Sequence, residues 1–222
     1  MRRSSTGRRR LLRSSGLALP LLTAAAVTGL YAGFTQTVGV PAASSLLGHS
    51  LGIMGFVMML MTETLYSLRK RAMHRPRGSM RSWLAFHIFT GIVGSWLVVL
   101  HAAGSFRGLA GVLTVMTAVV VASGFVGRYI YTAVPRTADG VVIEAQELQL
   151  QLDDARIRAA GSSATRTSTR RLRELERQMG ALRWARRALA TWHAVHVPLG
   201  MTLFVFAFAH IGAALYYATL LR

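Results

Sequence analysis

Residues 87–101 read HIFTGIVGSWLVVLH, an uncharged apolar stretch closed by a histidine at each end. With its flanks the run covers 83–104, about the ~20 residues a helix needs to cross the hydrocarbon core of a bilayer. An ionisable side chain in such a segment is costly and marks a functional position by default. Four more apolar runs of comparable length occur, at 17–38, 46–68, 109–132 and 192–221. The expected fold is all-α: an integral membrane bundle of five transmembrane helices.

The remaining sequence is strongly basic. The chain has 222 residues and a formal charge of +18, yet 52% of it is apolar. The charge is segregated. All of its 26 Lys and Arg residues except Arg107 and Arg222 fall at 2–13, at 69–81, at Arg128 or at 136–187. The positive-inside rule puts those segments in the cytoplasm and the C-terminus outside, in a multi-pass protein of the cell (inner) membrane. Basic clusters that flank spans point to anionic membrane lipid as the partner and not to nucleic acid. The basic head MRRSSTGRRRLLRSS and the apolar run after it resemble a secretion signal, but the run continues through GLYAGF beyond signal length. An uncleaved anchor is expected, which gives a basic cytoplasmic tail at 1–16 and transmembrane helices one to four over 17–135.

Segment 136–190 has another character. It holds every acidic residue except Glu63, mixed with eleven arginines. IEAQELQLQLDDARIRAA is rich in helix formers, and GSSATRTST breaks it. RRLRELERQMGALRWARRAL then carries Leu172, Leu175, Met179, Leu182 and Leu189 at heptad-like spacing. The expectation is a cytoplasmic helical hairpin between helices four and five, serving either as a solvated loop or as a dock for a redox partner subunit. The fifth transmembrane helix is expected over 191–222.

A second stretch, HVPLGMTLFVFAFAH, runs from His196 to His210 and repeats the spacing of the first. Fourteen steps of roughly 100° end about 40° short of four turns, so each pair of histidines shares one helix face at two levels about 21 Å apart. Helices three and five are separated by one helix and therefore run parallel. His87 and His196 then share the inner level, and His101 and His210 the outer level. Two imidazoles per level suit the axial positions of two non-covalent, b-type haems. The chain has no cysteine, which excludes disulfides, thiolate-ligated iron–sulfur clusters and c-type haem attachment but leaves this option open. Gly91 and Gly200, each four residues after a ligand, and Gly104 and Gly212, close to the outer ligands, would leave room for a porphyrin.

In these features the chain resembles the di-haem b-type membrane cytochromes. In the ferric-reductase-like group, which includes the NADPH oxidases, ligands likewise lie on the third and fifth helices. In cytochrome b of the quinol-oxidising complexes, two helices separated by one carry histidines at this spacing. The resemblance covers roughly 83–131 and 192–221 and implies electron transfer across or within the membrane. The chain departs from the reductases in having no flavin or nicotinamide domain, and from cytochrome b in its length and its hairpin. An electron-transfer subunit of a respiratory-type oxidoreductase is expected rather than a self-contained enzyme.

Other polar residues have candidate roles. Arg81 and Arg128 at the inner level and Arg107 at the outer level are candidate partners of haem propionates, or snorkel to the headgroups. Glu63, His49 and His193 are candidates for a quinone or proton site. Glu63 could equally pair with Arg69 or Arg128, and the two histidines could simply be interfacial. A histidine-lined metal-ion transporter or sensor without haem is the alternative reading. Such a site would want carboxylates near the histidines, and the spans offer only Glu63.

Overall fold

The computed structural model describes residues 5–71, 80–134, 144–161 and 166–220, excepting the side chains of 5–15, 65–71, 80, 81 and 218–220. Among these residues the chain forms six α-helices: α1 (Ser5–Val38), α2 (Leu46–Arg71), α3 (Met80–His101), α4 (Gly108–Thr132), α5 (Ala145–Ala160) and α6 (Arg166–Leu220). All but α5 are long and apolar enough to cross a membrane. Several expectations fall outside the described residues: those on the Arg69 and Arg81 side chains and on Arg222.

The chain divides into two compact units. One comprises residues 1–121 and 199–222, the other 122–198. In the first unit α2 and α1 both pack on α3. The α2–α3 contact is made where side chains are missing. A Cβ at Gly55 would lie 2.7 Å from the carbonyl oxygen of Gly94, and one at Gly94 would lie 2.9 Å from that of Gly55. Small residues let helix backbones touch in this way. On the α1 side, the Trp96 indole N–H donates to Thr28 Oγ1 at 2.7 Å. The buried hydroxyls of Thr114 and Thr117 donate to carbonyls one turn back, at 2.9 and 2.8 Å, so these polar groups are satisfied locally.

Local signals explain the ends of the elements. Ser45 caps α2, its hydroxyl accepting the Gly48 N–H at 3.1 Å. Between α3 and α4 the turn is bracketed by Gly104 at φ +75° and Gly108 at φ +56°, a left-handed backbone that glycine adopts without strain.

In the second unit Leu148, Leu152 and Ala155 of α5 and Leu175, Met179 and Leu182 of α6 form one buried cluster, with Val134, Ala145 and Leu172 packed against it. Spacings of three and four residues put each set on one helix face. Charges occupy the other faces, in pairs such as Arg158–Asp154 at 2.5 Å and Arg156–Asp153 at 3.4 Å.

One boundary differs from the sequence expectation. No break separates the charged arm from the fifth apolar run, because α6 is a single helix of 55 residues. Residues 183–195, RWARRALATWHAV, contain no glycine or proline and are rich in helix formers. The polarity changes there while the backbone does not. At the other end of the chain, α1 begins at Ser5 and so takes in most of the basic tail.

Candidate functional site

His101 and His210 lie in the first unit. His101 ends α3, and its Nδ1 is 2.8 Å from the carbonyl oxygen of Gly48 on α2. A carbonyl can only accept, so the ring proton sits on Nδ1 and the lone pair on Nε2. The ring packs on Gly52, where a Cβ would stand 3.0 Å from its atoms. Gly48 itself lies under the Ala42 and Ala43 carbonyls, with no room for a side chain. Opposite, Phe56 of α2 makes edge-on contacts with Phe204 (6.1 Å between centroids) and Phe208 (5.3 Å) of α6. These ring contacts bring this part of α6 against α2, and His210, half-buried, lies two residues beyond Phe208 on the same helix.

His87 belongs to the same unit and is held in the same manner. Its Nδ1 is 3.2 Å from the Thr62 carbonyl oxygen on α2, so here too the proton sits on Nδ1. The Thr62 and Thr90 hydroxyls are hydrogen-bonded at 2.7 Å, which ties α2 to the turn after His87. A Cβ at Gly91 would lie 3.7 Å from the Thr62 methyl, an ordinary contact. Glu63 turns towards α6, its Oε2 3.8 Å from where Gly200 would carry a Cβ.

His196 lies in the second unit, with a different set of neighbours. Its Nδ1 is 2.8 Å from Ser123 Oγ on α4. Trp192, one turn earlier on α6, stacks on the imidazole with centroids 4.6 Å apart and planes 22° apart. The Trp192 indole N–H donates to the Ser123 carbonyl at 2.8 Å. The indole lies directly on Gly127, where any Cβ would overlap it, while Gly124 leaves 3.9 Å to His196. His193 meets Trp192 edge-on at 4.9 Å.

The remaining sequence candidates are more peripheral. His49 is exposed and bonded through Nδ1 to the carbonyl of Ser45, the cap of its own helix, at 3.1 Å. Arg107 is exposed in the α3–α4 turn and Arg128 is half-buried on α4. Gly104 and Gly212 have no atom within 4 Å of a Cβ position, and Gly104 has a backbone reason to be glycine in its positive φ. Among the described residues no three His, Asp or Glu side chains converge as a metal-binding group.

The small residues of GHSLGIMG, among them Gly48 and Gly52, point in the sequence to close helix approach, whereas Thr62, Ser123, Gly127 and Trp192 were missed. Three of these carry a signal: Ser123 and Gly127 as the small residues of SGFVG on one helix, and Trp192 as a tryptophan one turn before a histidine on another. Compared with known protein families, curated proteins and solved structures, the chain matches none.

Proposed function

We propose that the chain is an integral-membrane b-type cytochrome subunit that holds two bis-histidine haems and passes electrons across or within the membrane. His101 with His210 holds the outer haem. His87 with His196, paired by their sequence spacing, holds the inner one. The observation that carries the reading is the state of the imidazoles: His87 and His101 both give their Nδ1 proton to main-chain carbonyls of α2. Metal-ligating histidines are held in this manner, with the tautomer fixed and Nε2 made a better donor. The residues present therefore fit axial ligation. Haem iron, when bound, supplies the one-electron chemistry.

The protein's own contribution is orientation and burial. The Gly48 and Thr62 carbonyls aim the rings, Gly52 lets one ring settle against α2, and apolar helices exclude water. The basic clusters put the N-terminus and the α5–α6 arm in the cytoplasm. In that topology the arm is a helical hairpin on which a redox partner subunit docks. Glu63, on the α2 side facing α6, is the candidate for a proton or quinone site.

An absorption spectrum and a haem count on the purified full chain test the reading. A Soret band, a sharp reduced α-band and two haems per chain are expected, with His87→Ala and His101→Ala each removing one. A colourless protein saturated with a bare metal ion would establish the transporter reading instead. Variants that keep both haems would overturn the ligand assignment.

A further inference from the structure

Among the four proposed ligands, His87, His101 and His196 do not share one kind of hydrogen-bond partner. His87 and His101 each bond to a main-chain carbonyl, whereas His196 bonds to a side-chain hydroxyl and lies under an indole. We propose that Ser123 and Trp192 are positioning residues that set the plane and donor strength of the His196 imidazole, and so set the potential of the haem it ligates apart from that of the other. The inference rests on the haem reading above.

The argument starts from the proton. If His196 ligates through Nε2, its proton is on Nδ1 and Ser123 Oγ, 2.8 Å away, accepts it. An acceptor at Nδ1 makes imidazole a stronger electron donor, which favours ferric over ferrous iron. A hydroxyl is a weaker acceptor than an amide carbonyl, so His196 is a weaker donor than His101. The haem of His196 is then the easier of the two to reduce.

Trp192 fixes the second variable, the ring plane. Its N–H is anchored on the Ser123 carbonyl and its face lies on the imidazole. Gly127 is the seat that admits the indole. One residue of α4 thus meets both the ring it bonds and the ring that covers it. This arrangement is more specific than helix packing requires.

Potentiometric titration of the purified full chain, read at the α-band, tests the proposal. Ser123→Ala removes the acceptor. The midpoint of one haem should rise by about 59 mV, which for one electron is a tenfold change in the reduced-to-oxidised ratio, and the other midpoint should stay fixed. Ser123→Thr keeps the hydroxyl and should restore the original value. Trp192→Leu should alter the low-spin ferric EPR signal of that same haem and leave the other unchanged. Two haems with both midpoints unmoved in Ser123→Ala would overturn the proposal and leave the cytochrome reading intact. So would an equal shift in Ser123→Thr. A wild-type chain without haem absorbance would instead overturn the reading on which the proposal rests.

Discussion

The α2–α3 contact and the α5–α6 cluster are built in opposite ways. The first is closed by absent side chains, with Gly55 and Gly94 backbone to backbone. The second is closed by large ones, Leu148, Leu175 and Leu182, each nearly inaccessible. The two modes of closure suit different solvents. Burying leucine between helices is rewarded only where the alternative is water. In lipid the alternative is equally apolar, and association depends on close backbone approach and hydrogen bonds. Contact chemistry therefore separates the two regions along the same line as hydropathy, by independent means.

The comparison can be broken most directly at the glycines. Gly55→Leu should push α2 from α3 and separate the Gly48 and Thr62 carbonyls from their histidines. Loss of both haems and an aggregated elution profile are expected. Gly91→Ala, with 3.7 Å to its nearest neighbour, should keep the helix contact. A fall in haem content there would assign Gly91 to the cofactor.

The leucine cluster should fail by a different route. Leu182→Ala leaves a cavity worth about 2–5 kcal/mol. Limited proteolysis should cut within the arm, while the haem spectrum stays as in the wild type. A bleached spectrum would show the two regions to be one cooperative unit.

Gly127→Ala tests a contact that mixes both modes, an aromatic ring seated on a glycine. Overpacking costs about 1–3 kcal/mol, so a lowered Tm is expected, whereas Gly124→Ala should be nearly neutral. Equal effects at the two positions would remove the special place given to Gly127. The smallest effect is expected at the arm's surface. Arg158 and Asp154 are both exposed, and Arg158→Ala should change stability by less than about 1 kcal/mol in a denaturant titration.

The five apolar helices and the matched histidine spacing were legible in the sequence, because hydropathy and helical period act over many residues at once. The leucine stripe from Leu172 to Leu182 was legible for the same reason. The carbonyls that hold His87 and His101 were not, since a main-chain oxygen has no residue type to announce it. Neither was the fit of Trp192 on Gly127, a steric match between residues far apart in the chain. At Gly104 the spacing suggests space beside a cofactor, and the positive φ adds a backbone requirement that composition cannot express. The end of the arm was placed at a change of polarity, whereas helix propensity continues across it.

The unbroken α6 ties its own parts together in phase. Leu175 and Leu182, which close the cluster, and His196, which meets Ser123, are carried on one continuous helix. One residue added or lost between Leu182 and His196 would turn the histidine by about 100° relative to the leucines. Seven or eleven would leave an error of only about 20°. The spacing between arm and histidine is therefore free to change in steps of the helical repeat and closed to single insertions, a constraint on the length of the chain that no individual side chain imposes.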